Sequence, residues 1–321
     1  MIYTMMADSP NYLAATPNGH FLAQVWYRLF SVFGPAQLEL AALAQIALIC
    51  FSAYKFNKSM GIENKRLRWL SLAILVAPCV LWGRQVGSDA LGYSLMLAAM
   101  ACLGKRNALF VLFASLASVT RFQYIGLFSG LLLYRRMWWV PAVMLTGFAW
   151  VGWTGWYGMV GMYGKVYKTV EYVACSVPAK SEHVSHAEYF NLVWGSHDIP
   201  GGTATPCVCA ALAGSNVPRV LWQHKGTVAQ LIRSKLRFTF RWHQLAFFVL
   251  LMLAPFAGIR RVAWVCFGMY AVVILTSSPL YHRYTFMVEL VMLSAVIALQ
   301  DRLLALVPGK KEPRDKTYEM A

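Results

Sequence analysis

Five charged side chains have the types and placement for shared chemistry: Asp8, Arg84, Asp89, Arg121 and Arg283. Each lies in a short polar stretch beside a long apolar run. A carboxylate in such a place can take the proton of an attacking hydroxyl. Arginine matches phosphate oxygens bidentately, so arginines converging from separate span ends would hold a phosphate or diphosphate. Asp8 stands in the leader Met6-Ala7-Asp8-Ser9-Pro10-Asn11-Tyr12, and Arg84 and Asp89 flank the turn Gly83-Arg84-Gln85-Val86-Gly87-Ser88-Asp89. Arg121 is in Thr120-Arg121-Phe122-Gln123 and Arg283 in Tyr281-His282-Arg283-Tyr284. The plain alternative for each arginine is a side chain reaching up to lipid headgroups.

These residues need elements to position them, and the composition says which kind. The chain has 321 residues, 59% hydrophobic and only 13% charged, with a mean hydropathy of +0.51. A soluble domain of this size carries roughly 25% charged residues. The expected fold is an all-α polytopic membrane protein with about nine transmembrane helices. The apolar runs are 36–56, 68–83, 89–103, 107–119, 122–134, 138–162, 244–258, 262–277 and 284–300. Several fall short of the roughly 20 residues that cross a hydrocarbon layer. Joining 89–119 into one helix is worse, because Lys105 and Arg106 would sit mid-bilayer at about 2.5–3.5 kcal/mol each. The short runs are therefore kept separate, with polar ends facing a cavity. The first 20 residues do not read as a cleavable signal peptide.

Basic residues give the orientation. The connections 57–68, 104–106, 135–136 and 260–261 hold 4, 2, 2 and 2 Lys or Arg, whereas 84–88, 120–122 and 278–283 hold one each. The richer set is expected on the cytoplasmic side, with the N-terminus outside and the C-terminus inside. That divides the chain into a membrane region 1–163 with an outer segment 1–35 and six spans, an outer loop 164–243, three spans over 244–300, and a cytoplasmic tail 301–321. Phe21 to Phe33 reads as a helix lying in the interface. Of the 13 acidic residues in the chain, only Asp8, Asp89, Glu171, Glu182, Glu188 and Asp198 then fall outside. The net charge of +16 resides mostly in short loops, so it speaks for topology and not for nucleic acid.

Cys50, Cys79, Cys102 and Cys266 fall within spans and read as buried thiols, while Cys175, Cys207 and Cys209 lie in the outer loop, where one disulfide or three free thiols are both open. His183, His186 and His197-Asp198 lack the paired spacing of a closed zinc site, and no metal is expected.

The order of these motifs resembles the GT-C superfamily of integral membrane glycosyltransferases, which includes protein mannosyltransferases and aminoarabinose transferases. Asp8-Ser9-Pro10-Asn11-Tyr12, followed by Gly19-His20 and Gln24-Val25-Trp26-Tyr27-Arg28-Leu29-Phe30, looks like the family's first outer loop. Arg84 through Ser88-Asp89 is similar to its second outer turn, Thr120-Arg121-Phe122 to a recurring Thr-Arg element, and His282-Arg283-Tyr284 to a late Arg-Tyr. The resemblance covers about residues 5–135 and 278–300. It implies inverting transfer of a sugar from a polyprenyl-phosphate donor to an acceptor outside the cytoplasm: lipopolysaccharide, glycan or protein. Asp8 would be the general base, Arg84, Arg121 and Arg283 would hold the lipid phosphate, and Asp89 would be a second acid. His282 and Tyr284 would lie on the acceptor side. No cofactor is implied, and a bacterial inner membrane with the site facing the periplasm or exterior is the expected location. The departure from the family pattern is at the start, where a span normally precedes the acid. Either that span is absent or the start lies upstream of Met1.

Two other readings stay open. An O-antigen-ligase-like transferase also has many spans and a large outer loop, in which His183, His186, Arg219 and His224 would take part. A membrane protein descended from an enzyme and no longer catalytic is the other.

Overall fold

The computed structural model describes residues 21–133, 242–276 and 282–306, with the single positions 13, 139, 225 and 229. Asp8, the sixth run 138–162, the body of the outer loop 164–243 and the tail beyond 306 lie outside the described residues. Within them every regular element is a helix, and there is no strand. One helical stretch, Ser31–Met60, is long and apolar enough to cross a membrane, and Asp89–Cys102 and Asn107–Thr120 are apolar but shorter.

The first helix, α1 (Phe21–Leu29), is followed by a 3-10 segment, Ser31–Ala36, and then by α2 (Gln37–Met60). The interfacial helix expected over 21–33 is thus interrupted at Phe30. Gly34, at φ 55°, makes the bend that redirects the chain, a conformation available cheaply only to glycine. Pro35 follows where a missing N–H does no harm. Glu39 in the first turn of α2 and Lys58 in its last complement the helix dipole. Gly61 ends it in the left-handed conformation, its N–H returning to the Lys58 carbonyl at 3.3 Å.

The next helix, α3 (Lys65–Val76), is capped by Asn64, whose side chain accepts from the N–H groups of Arg66 and Leu67. Pro78 interrupts it, since proline has no N–H to donate back one turn, and a short α4 (Pro78–Leu81) follows. After the turn 82–88 come α5 (Asp89–Cys102) and α6 (Asn107–Thr120).

The run expected as an α-helical span over 122–134 is instead a 3-10 helix, Phe122–Leu133. At about 2 Å per residue it reaches roughly 24 Å, against about 18 Å for the same residues as α-helix. Its three-residue period puts Gly126 and Ser129 on one face. That face meets Gly268 of α8 (Ala257–Thr276) with almost no space between the backbones. A Cβ on Gly126 would stand 2.4 Å from the Met269 Cα, and one on Gly268 would stand 2.6 Å from the Gly126 carbonyl oxygen. Ser129 Oγ donates to the Trp264 carbonyl at 3.1 Å. Small residues at a helix crossing allow this approach and the dispersion contacts that come with it.

The remaining helices are α7 (Trp242–Met252) and α9 (His282–Leu306). Packing runs in a closed circuit: α2 on α5, α5 on the 3-10 helix, that on α8, α8 on α9, α9 on α3, and α3 back on α2. A continuous apolar core fills the middle, including Phe56, Leu75, Met96, Leu127, Cys266 and Met292. Large apolar side chains such as Phe51, Trp69, Leu70, Val80, Val249 and Leu253 point outward.

The end of the bundle opposite Asp89 is tied by α9. Asp301 accepts from the N–H groups of Glu63 and Asn64 at 2.7 and 3.1 Å, and Arg302 donates to the Met60 carbonyl at 2.9 Å. This explains why α9 continues to Leu306, past the boundary at residue 300 read from hydropathy. Charged residues end an apolar run but not a helix whose next turn is anchored.

Candidate active site

Three elements converge at the other end. The turn 82–88 leads into α5, α6 ends at Thr120, and α1 lies across both. Asp89 and Arg121, distant in sequence, meet there: Arg121 Nη2 is 2.9 Å from Asp89 Oδ2, and both side chains are over nine-tenths buried. Arg121 Nε donates to Ser88 Oγ at 2.8 Å. The local fold directs this arginine inward. Thr120 Oγ1 donates to the Leu116 carbonyl, and Arg121 itself leaves the helix in extended backbone at φ −151°, ψ 124°. An isolated buried charge would cost several kcal/mol, so the pair is what allows either residue to be there.

The turn is held by Tyr27 of α1. Its hydroxyl donates to the Gly87 carbonyl at 3.0 Å and accepts from the Gly87 N–H at 2.8 Å and from Gln45 Nε2 at 2.9 Å. Gln37 Nε2 donates to the Tyr27 carbonyl at 2.9 Å. An apolar cluster of Ala23, Tyr27, Ala41 and Val86 closes the contact, with Leu13 packed against it.

Six buried side-chain atoms among the described residues have no hydrogen-bond partner, and four belong to this end: Trp26 Nε1, Gln45 Oε1, Gln85 Oε1 and Asp89 Oδ1. Each such atom costs free energy unless something donates to it or accepts from it. Their gathering here marks a place where buried polar atoms find no partner among the described residues.

The other expected site residues stand as follows. Arg84 is exposed on the same turn. His282, Arg283 and Tyr284 begin α9, with their side chains outside what is described. Asp8 lies outside the described residues. Arg121 does not follow the plain alternative of reaching toward headgroups; it is buried and paired with Asp89.

A second polar group lies between α7, α8 and α9. Glu289 Oε1 accepts from Gln244 Nε2 and, at 3.2 Å, from the Tyr270 hydroxyl, which also hydrogen-bonds Thr285. Sequence reading assigned it nothing, although a single acid inside an apolar run was the available signal. Met287, two positions earlier and so on another face of α9, accepts from the Tyr124 hydroxyl at 3.0 Å. Glu289 is therefore turned away from the Tyr124 side of the helix. Cys50, Cys79, Cys102 and Cys266 are free thiols, with the sulfurs of Cys50 and Cys79 3.8 Å apart.

No family model, curated protein or solved structure matches this chain.

Proposed function

We propose that this chain is an integral membrane glycosyltransferase that moves a sugar from a polyprenyl-phosphate donor to a hydroxyl acceptor outside the cytoplasm, with inversion. The observation that carries the proposal is the buried Asp89–Arg121 pair at the end of the bundle where Trp26, Gln45, Gln85 and Asp89 each keep a buried polar atom without a partner among the described residues. Hydroxyl-rich ligands supply the donors and acceptors such atoms lack. The outward apolar faces of the helices support a lipid surround, and Arg28, Leu29, Val32 and Phe33 are exposed on α1 and the 3-10 segment after it, as an interfacial segment requires. Orientation in the membrane rests on the distribution of Lys and Arg, with the Asp89 end facing the periplasm or exterior of a bacterial inner membrane.

In this reading the acceptor oxygen attacks the anomeric carbon as the carbon–phosphate oxygen bond breaks. The electron pair goes to the lipid phosphate, and an arginine stabilises that growing charge. The exposed Arg84 shares the phosphate contact with Arg283. The acid that takes the hydroxyl proton comes from the two outer acids beside spans, Asp8 and Asp89. Leu13 packs against the cluster holding the turn.

The test is sugar transfer by the purified protein in vesicles, using a panel of tritiated polyprenyl-phosphate hexoses and pentoses with cell-envelope extract as acceptor. Incorporation is expected from wild type, with a raised donor KM and unchanged melting temperature for Arg84→Ala. Absence of incorporation across the panel by well-folded protein would overturn the proposal.

A further inference from the structure

The geometry points to Asp89, through its Oδ1 atom, as the group that accepts the proton of the acceptor hydroxyl; this rests on the transferase reading above. The two oxygens of this carboxylate are in different situations. Oδ2 is held by Arg121 at 2.9 Å, whereas Oδ1 is buried with no hydrogen-bond partner among the described residues. Asp89 as a whole is 4% exposed, so bulk water does not satisfy that oxygen. A carboxylate placed only to anchor Arg121 would gain by offering both oxygens to it, because the bidentate arrangement is the stronger one. Here the arginine meets Asp89 Oδ2 through Nη2 and Ser88 Oγ through Nε. That leaves Oδ1 with its acceptor capacity unused among the described residues.

The surrounding contacts fix where that oxygen stands. Ser88 and Asp89 open α5, the turn before them is bound to the Tyr27 hydroxyl through both polar atoms of Gly87, and Arg121 grips the carboxylate from α6. Such a group is held in position before substrate arrives, which is what a general base requires. The step balances with the acceptor alone. Its O–H bond breaks with the proton going to Oδ1, its oxygen forms the new bond to the anomeric carbon, and the lipid phosphate leaves with the electron pair of the broken bond. Arg121 holds the carboxylate in place until then. Release of the proton to water returns the site to its starting state.

The experiment compares Asp8→Asn, Asp89→Asn and the double variant Asp89→Asn with Arg121→Gln in the vesicle assay, each with a melting curve. Asp89→Asn alone strands the buried guanidinium. The double variant replaces the ion pair by a neutral hydrogen-bonding pair and guards against a folding defect. The expected result is a folded double variant with transfer reduced by about 10²–10⁴-fold, the range for loss of a general base. A folded double variant that transfers at the wild-type rate would reduce Asp89 to an anchor for Arg121 and overturn the inference. So would loss of transfer in Asp8→Asn together with retention in the double variant. Failure of wild type across the whole donor panel would instead strike the transferase reading itself.

Discussion

Tyr27→Phe removes one oxygen and nothing else, yet that oxygen joins three parts of the chain. The ring stays buried in the cluster with Ala23, Ala41 and Val86, so apolar packing is preserved. What is lost is the acceptor for the Gly87 N–H and Gln45 Nε2, and the donor to the Gly87 carbonyl, at 2.8, 2.9 and 3.0 Å. A buried polar group left without a partner costs about 1–3 kcal/mol. Gln45 can rotate, but the two Gly87 groups are on a turn fixed by its neighbours, so a net loss of roughly 2–4 kcal/mol is expected. At about 2 °C per kcal/mol, the lower end for larger domains, the melting temperature in detergent should fall by roughly 4–8 °C. Loosening of the turn should also release the site. Amide exchange at residues 83–89 should quicken while α9 residues 290–300 stay protected. Adding Gln45→Met should cost less in the Tyr27→Phe background than in wild type, because Gln45 Nε2 has by then lost its acceptor. A Tyr27→Phe protein that melts within 1 °C of wild type, with unchanged exchange over the turn, would refute the claim that this hydroxyl organises the site.

Two further substitutions test the packing. Gly268→Ala places a Cβ 2.6 Å from the Gly126 carbonyl oxygen and 2.2 Å from Ser129 Oγ, an overpacking expected to cost about 1–3 kcal/mol. Gly258→Ala in the same helix meets nothing within 4 Å and should be neutral or stabilising by up to about 1 kcal/mol, a contrast that thermal melts would read directly. Asp301→Ala strips the Glu63 and Asn64 N–H groups of their acceptor and should destabilise by about 1–3 kcal/mol. Faster protease cleavage within 60–66, with no change near the turn 83–89, is the expected signature.

Much of the helix pattern was legible because apolar runs and their interruptions are local properties. Gln37–Met60, Asp89–Cys102 and Asn107–Thr120 begin or end within a few residues of the boundaries read from hydropathy, and Gly61 and Asn64 have the residue types that end and start helices. The 3-10 geometry of Phe122–Leu133 was not legible, since α and 3-10 helices share the same apolar composition. What marks this segment is the fit of Gly126 and Ser129 against Gly268, more than a hundred residues away. The extension of α9 through Asp301 and Arg302 was hidden for the same reason: their partners, Met60, Glu63 and Asn64, come from the far end of the chain.

For the candidate site, the amino-acid sequence by itself determined which charges are available, because an acid or arginine beside an apolar run stands out against a background with so few. It singled out Asp89, Arg84 and Arg121 on that ground. Only the tertiary structure decided how they are used. Arg121 is turned inward to Asp89, Arg84 is left on the surface, and Tyr27 and Gln45 serve as supports for the turn. Charge and hydropathy are properties of single residues. The choice of which charge is neutralised, and which oxygen is left open, depends on distances between helices that no local pattern records.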